Sequence, residues 1–375
     1  MKKGLTAFKH KQYKKAVNFL ELPCRRGFGS ACALIGTLYA KGSGGLQKDR
    51  NRSKDYWQMA CDKDYAPSCR DLGNEYRLSG QMNDAINAYK KGCKNKGMGS
   101  CYNLATLYYF ADDIPNDLDK AKSLYHKVCE FKDSKNPLLV EKACLRARWL
   151  SATYKGEAKT YASQCRQKEG ESCHNLGALY YQGKGLKQSF RMEIELDTLA
   201  CHYGYAMGCK NVGLSYYKGE HIEKNTHKAI SFFKMAGALG EGSGFYNAGD
   251  MYQFGAGVAL DYKAAFEMYK YGCFKMDMHS CERVGYFFEH GLGMKPDGKR
   301  AAWFYKAACD RKEVKGCYNM AFMYVEGDVV KQDLHQARKY FKKACALGNK
   351  DCCSKEFLQQ ILKKKSTTQS ALKWK

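Results

Sequence analysis

The chain carries 19 cysteines, and most fall in pairs eight positions apart: Cys24 with Cys32, Cys61 with Cys69, Cys93 with Cys101, Cys165 with Cys173, Cys201 with Cys209, Cys273 with Cys281, Cys309 with Cys317 and Cys345 with Cys353. Thiols set together at a fixed spacing either oxidise to a disulfide or, as thiolates, hold a metal. Serine carries a second possible chemistry. Ser215-Tyr216-Tyr217-Lys218 and Ser231-Phe232-Phe233-Lys234 both read Ser-x-x-Lys, the spacing in which a lysine sits close enough to activate a serine nucleophile. Such a site also needs Ser-Asp-Asn and Lys-Thr-Gly elements. Neither occurs, and the Lys-Thr at Lys159-Thr160 is followed by Tyr161. His221 and His227 stand six apart rather than at the helical spacing of a metal pair. No catalytic residue, metal ligand or cofactor is assigned.

The cysteines are positioned by a repeat. Cys93, Cys129, Cys165, Cys201, Gly237, Cys273, Cys309 and Cys345 follow one another at 36-residue intervals, the signature of a tandem array. On that period the two serines are ordinary positions: Ser231 matches Glu267 and Trp303, and Ser215 matches Leu179. Each unit predicts two helices. The first follows the second cysteine, as in Asn175-Leu176-Gly177-Ala178-Leu179-Tyr180-Tyr181, and ends at Gly183 and Gly185, a pair repeated at Gly42 and Gly44, Gly255 and Gly257, and Gly291 and Gly293. Glycine ends a helix there because it takes the left-handed conformation at least cost. The second helix, as in Lys299 to Cys309, sets Ala301, Phe304, Tyr305 and Ala308 at i, i+3, i+4 and i+7, one apolar stripe. A small residue four places past the second cysteine (Gly36, Gly73, Gly177, Gly213, Gly249, Gly285) lets adjacent helices approach closely. One helix pair leaves a face unburied, so neighbours must stack, and the fold expected is an all-α, αα solenoid. No apolar run reaches the roughly 18 residues that a membrane-spanning helix needs.

At this point the residues resemble a known family. The pattern C-x-N-L-G-x-L-Y-Y-x-G-x-G, followed by an aromatic pair before K-A-C, resembles the Sel1-like repeat, a relative of the tetratricopeptide repeat. With the second cysteine eight residues on, it resembles the Helicobacter cysteine-rich protein family, from about Lys11 to about Leu362. The resemblance implies a right-handed superhelix of about ten disulfide-stapled repeats, secreted or periplasmic. It implies one disulfide per repeat: the eight pairs above and Cys129 with Cys144, with Cys352 competing with Cys353 for Cys345. It also implies β-lactam binding and weak β-lactamase activity, as in some members. Structural zinc wants tight knuckles that converge four ligands, whereas these pairs recede along a solenoid. A bridge of this loop length is worth about 2–3 kcal/mol. Disulfides persist outside the reducing cytosol, so export is expected. Met1 to Lys11 shows no leader and reads like a repeat entered partway, so the leader is expected to have been removed or missed. Three departures stand out. The unit from Cys61 to Cys93 is only 32 residues. Pro137 stands where a partner for Cys129 belongs, which predicts a distorted middle repeat whose following helices shorten. Gly237 and Phe245 replace one pair, and this unstapled unit is expected to open first.

Four segments follow: a truncated N-terminal repeat (1–31), tandem repeats of about 36 residues in a single solenoid (32–350), a capping helix (351–364) and a basic disordered tail (365–375). Binding is expected on the concave face. Asn recurs two places past the second cysteine at Asn103, Asn175, Asn211, Asn247 and Asn319, with Leu34, Asp71 and Arg283 as exceptions. Asn is a mediocre helix former. These amides either form a ladder for a peptide backbone or carboxylate, or bond the backbone of a neighbouring repeat. The tyrosine pairs Tyr108-Tyr109, Tyr180-Tyr181 and Tyr216-Tyr217 offer anchors, with at least one of each pair in the core. The expected function is a monomeric binding scaffold for a protein, a peptide or a peptidoglycan-derived fragment, with a β-lactam small molecule as the alternative ligand. The net charge of +25, from 63 Lys and Arg against 38 Asp and Glu, is spread along the chain. It predicts a solvated basic surface rather than a nucleic-acid partner.

Overall fold

A computed structural model describes residues 1–42, 45–110, 117–131 and 136–363, with side chains to residue 360. Gly44, Lys132 to Lys135 and the tail expected at 365–375 lie outside the described residues. The chain divides into two compact units, Met1–Thr153 and Tyr154–Lys375. The described residues are helical throughout, without strands. The first unit holds α1 (Lys2–Lys9), α2 (Tyr13–Arg25), α3 (Gly29–Lys41), α4 (Arg50–Asp62), α5 (Ala66–Leu78), α6 (Met82–Lys94), α7 (Met98–Phe110), α8 (Leu118–Cys129) and α9 (Pro137–Ser151). The second holds α10 (Gly156–Arg166), α11 (Gly170–Gln182), α12 (Phe190–His202), α13 (Ala206–Lys218), α14 (Thr226–Ala238), α15 (Gly242–Gln253) and α16 (Tyr262–Phe274). It continues with α17 (Met278–His290), α18 (Gly298–Asp310), α19 (Val314–Glu326), α20 (Leu334–Ala346), a short 3-10 turn at Asp351–Cys353 and α21 (Lys355–Lys363). Within each unit successive helices pack as antiparallel neighbours, giving an αα solenoid of stacked pairs.

Local chemistry sets the ends of each pair. First helices α3, α11, α13, α17 and α19 stop at a left-handed glycine, with φ of 64° at Gly42 and 77° at Gly327, which a side chain would oppose. From α12 onward the second helices begin at a capping side chain, and the caps keep the same period: Ser189, Asn225, Asp261, Asp297 and Asp333 each accept the amide N–H three residues on. An Asp, Asn or Ser at this place is worth about 1 kcal/mol over alanine. The same cap residue donates its own backbone N–H to the carbonyl of an aromatic residue in the preceding helix, as Asn225 does to Tyr216 at 2.9 Å and Asp333 to Tyr324 at 3.0 Å.

The small residue of each first helix makes a seat for a ring of the second. A Cβ at Gly73 would meet Tyr89 at 2.5 Å, one at Gly213 would meet Phe233 at 2.6 Å, and one at Gly249 would meet Tyr269 at 2.6 Å. These rings are fully buried, each stabilising its pair by about 1.5–3 kcal/mol.

Among the described residues nine disulfides close the turns between pairs. In the first unit Cys24 is bonded to Cys32, Cys61 to Cys69, Cys93 to Cys101 and Cys129 to Cys144. In the second unit Cys165 is bonded to Cys173, Cys201 to Cys209, Cys273 to Cys281, Cys309 to Cys317 and Cys345 to Cys353. Except for Cys353, which is exposed in the 3-10 turn, the second cysteine of each eight-residue pair sits in the first turn of the next α-helix, where Cys32, Cys69, Cys101, Cys173 and Cys209 are wholly buried and Cys281 is nearly so. Cys352 is the free thiol, and it is buried. The middle repeat is irregular in a way that differs from expectation. α9 lengthens to 15 residues rather than shortening, while α10 has 11. The reason is local: the Asn136 side chain caps the Leu139 N–H at 3.1 Å and Pro137 takes the first helical position, so the helix starts a turn early and carries Cys144 deeper into it.

Candidate functional site

One second helix breaks the seating pattern. The place four residues before the first cysteine holds Leu20 at the N-terminal end and then the rings of Trp57, Tyr89, Tyr125, Tyr161, Phe233, Tyr269, Tyr305 and Phe341, but in α12 it holds Asp197. With no ring there, the nearest atom to a Cβ at Gly177 would be the Glu193 carbonyl oxygen, 3.4 Å away. Asp197 is 1% exposed. Its carboxylate lies 2.7 Å from His174 Nδ1 and accepts Asn211 Nδ2 at 3.0 Å. The hydrogen bond to Asp197 holds His174 above the usual histidine range against its burial. Glu193, one turn earlier, is pushed up to about 8, first by burial and then by the Asp197 charge beside it. The cluster thus sets a histidine that holds its proton more tightly than usual, and a carboxyl that gives its proton up only near pH 8, against the buried Asp197 side chain. It can hold and exchange a proton, and it presents both donors and acceptors.

Polar side chains continue along the first helices of the second unit. Asn247 in α15 is half-buried, and its amide has no partner among the described side chains, as is also true of Asn175 in α11. Beside Asn247 a cavity of about 180 Å³ opens between α13, α14 and α15, walled by Leu214, Tyr217, Phe233, Met251 and Phe254, with Asn247 and Asp250 as its polar edge. Asp250 accepts the Tyr269 hydroxyl at 2.6 Å, and burial raises its pKa. In α17 the asparagine position holds Arg283, 9% exposed, with its guanidinium over the Tyr286 ring. Arg283 Nε lies 3.9 Å from Glu282 Oε2 and makes no hydrogen bond. Burial pushes Glu282 up to about 7, opposed by Arg283 and Lys315, and it accepts Asn319 Nδ2 at 2.9 Å.

The five asparagines therefore divide. Asn103 donates to Asn74 Oδ1 at 2.9 Å, Asn211 to Asp197 and Asn319 to Glu282. All three bonds go to side chains of preceding helices rather than to a neighbouring backbone, because helical backbone already satisfies itself. Asn175 and Asn247 face no such partner. In the first unit the corresponding residue of α9 is Arg146, 2% exposed, donating to Tyr125 Oη at 2.8 Å under the rings of Tyr102, Tyr109 and Phe110. Of the tyrosine pairs, Tyr109 is buried, whereas Tyr181 and Tyr217 are exposed.

The Ser-x-x-Lys serines occupy helix surfaces. Ser215 Oγ donates to the Asn211 carbonyl at 3.1 Å and Ser231 Oγ to that of His227 at 3.0 Å. Lys218 reaches toward Glu220. His221 stacks on Phe190, with ring centroids 3.9 Å apart. Among the described residues no three His, Cys, Asp or Glu side chains converge as metal ligands would. The His174–Asp197–Glu193 cluster and Arg146 were not picked out from sequence. The signal for the first was present in one column, the place four before the cysteine, where Asp197 is the polar exception.

The Sel1 repeat model matches residues 29–65, 99–130, 170–192, 206–241, 246–273, 279–312 and 314–349. The unmatched stretches contain the shortened unit and the lengthened α9. Cytochrome c oxidase assembly factor 7 of Xenopus tropicalis is 31% identical over 132 residues, covering 32% of this chain and 57% of that protein. The factor of Mus musculus is 29% identical over 109 residues, 26% of this chain and 47% of that one. The chain thus spans about half the length of the curated relatives it matches. Among solved structures, a protective antigen of uropathogenic Escherichia coli displaying an SLR fold aligns at 20% identity over 90% of this chain and 65% of its own, with a TM-score of 0.46. A Sel1 repeat protein from Oxalobacter formigenes aligns at 25% identity over 49% of this chain and 76% of its own, also with a TM-score of 0.46.

Proposed function

The chain belongs to the Sel1 repeat family, and from that premise we propose that it is an exported scaffold that binds an extended peptide segment along the first helices of its second unit. The segment is a stretch of a protein or the peptide part of a cell-wall fragment. The observation that carries this reading is the cavity beside Asn247. Its apolar walls suit a side chain with an aliphatic or aromatic body, its Asn247 and Asp250 edge suits a hydrogen-bonding end, and the free amides of Asn247 and Asn175 suit a peptide backbone. Tyr217 and Phe254, 37% and 62% exposed, flank the opening as anchors. The disulfides support the location, since bridges of this number need an oxidising compartment.

The test is selection from a random peptide library on the full, oxidised chain, followed by titration of the selected peptides. Replacing Asn247 and Tyr217 together by alanine should weaken binding about tenfold or more, as loss of a central anchor does, while Asn103→Ala in the first unit should leave it unchanged. Failure to select any peptide, or selected peptides that bind the double variant as well as the parent, would overturn the reading. Export is checked separately, by alkylating the protein from its native source before mass analysis. One free thiol is expected, and a fully reduced chain would refute it.

A further inference from the structure

The second helices α14, α16 and α18 carry a largely exposed surface that the first-helix row does not use and that repeat stacking touches only at the edge of Tyr271, near Phe245. Positions six, ten and thirteen of a helix share one face, and on that face stand Met235, Tyr271, Phe274 and Trp303, while Leu239 and Met276 lie in the turns that follow α14 and α16. Phe274 is 80% exposed and Trp303 65%, and the other four are 44–54% exposed. Isolated exposed apolar residues are ordinary, but six in three consecutive repeats form a band. Cations border it. Lys234, Lys263, Lys275, Lys299, Arg311 and Lys312 are all exposed and enter no ion pair, whereas the acids of these helices, Glu267 and Asp310, are already neutralised by Lys270 and Lys306. Arg311 Nη1 lies 3.2 Å from Met276 Sδ, so charge and apolar surface are interleaved.

We propose that this face docks on an anionic lipid bilayer, with Trp303 and Phe274 entering the boundary between headgroups and acyl chains and the unpaired cations resting on lipid phosphates. The mixture selects this partner. A nucleic acid or a soluble polyanion would use the cations but gain nothing from Met235, Leu239, Phe274 and Met276. A membrane interface uses both, since apolar side chains bury in it, aromatic rings prefer its headgroup level, and basic residues are drawn to its surface potential. The surface is distinct from the peptide row, so either can fail without the other.

The full oxidised chain is sedimented with vesicles of phosphatidylcholine alone and of phosphatidylcholine mixed with phosphatidylglycerol. It should pellet with the mixed vesicles, with a blue shift of tryptophan emission that Trp303→Phe abolishes. Phe274→Ser with Trp303→Ser, and separately the triple change Lys275→Glu, Arg311→Glu and Lys312→Glu, should each lower the partition about tenfold. Because every one of these side chains is exposed, circular dichroism should be unchanged. The proposal is overturned if the chain does not pellet with mixed vesicles, pellets equally with neutral ones, or pellets undiminished after the Phe274 and Trp303 changes, which would leave only non-specific charge.

Discussion

Two joints of the second unit solve the same problem by different means. Between α18 and α19 the chain is tied by Cys309–Cys317, with Cα atoms 4.4 Å apart. Between α14 and α15 the same two places hold Gly237 and Phe245, and the Phe245 ring lies so close over Gly237 that a Cβ there would come within 2.3 Å of it. The ring is 9% exposed and also packs near Tyr271, at 5.6 Å between centroids. The joint without a staple is a plugged one, and glycine is required because only its bare Cα leaves room for the plug. The two devices are close in strength: about 2–3 kcal/mol for a disulfide closing so short a loop and about 1.5–3 kcal/mol for burying a phenylalanine side chain. They differ in kind. The disulfide acts mainly on the unfolded chain and vanishes on reduction, whereas the ring acts in the folded chain and is indifferent to redox conditions.

The largest effect should come from removing the plug. Phe245→Ala is expected to lower the stability of the α14–α15 joint by about 3–5 kcal/mol, read as faster amide exchange there with α18–α19 unchanged. A uniform rise in exchange along the chain would show that the joint has no local stability of its own. Next, replacing Cys309 and Cys317 together by serine should cost about 2–3 kcal/mol at α18–α19. Reduction of the whole chain should invert the ranking, making α14–α15 the best-protected joint. If α14–α15 still exchanges first in reductant, the ring is not a substitute for the bridge.

Gly237→Ala should cost about 1–3 kcal/mol through overpacking against the ring, but in a Phe245→Ala background the same change should be neutral or stabilising, since the ring is gone and alanine favours helix. A cost that persists in both backgrounds would place the strain elsewhere. The smallest effect separates packing from charge. The folded chain keeps a proton on Glu193 up to about pH 8 that the unfolded chain releases near the ordinary carboxyl value, so stability falls as pH rises between them. His174 acts in the same direction: its pair with Asp197 is intact below the ordinary histidine value and is lost as pH rises through the elevated one. Amide exchange in α11–α13, corrected for its intrinsic pH dependence, should therefore quicken as pH rises from the ordinary carboxyl range to about 8, and Asp197→Asn should flatten that slope. The slope contributed at α17 by Glu282, held up to about 7, should remain.

Period and pairing were legible in the sequence because they repeat. A cysteine that returns every 36 residues and a glycine at a constant offset are visible without coordinates, and they fix helix ends and stacking. The capping residues from Ser189 to Asp333 keep the same period and were equally available, though hidden in loops of mixed composition. The site was less legible because it lies in the exceptions. Asp197 becomes conspicuous only when the rings at its place in other repeats are aligned. Nothing in the string places His174 and Asn211 against it, since they sit 23 and 14 residues away on two different helices. The asparagine column was found, but not its division into bonded and free amides, because that depends on what the preceding helix presents.

By itself, then, the sequence determined an all-helical tandem array, the ends of its helices and which thiols fall at each joint, all of which follow from local propensity and a short loop. The tertiary structure alone decided that the Gly237–Phe245 joint is filled rather than loose, that Cys352 is the thiol left over, and that Asn247 stands free beside a cavity. These are questions of which atoms occupy a given volume, and a repeat period fixes the volume without saying what fills it.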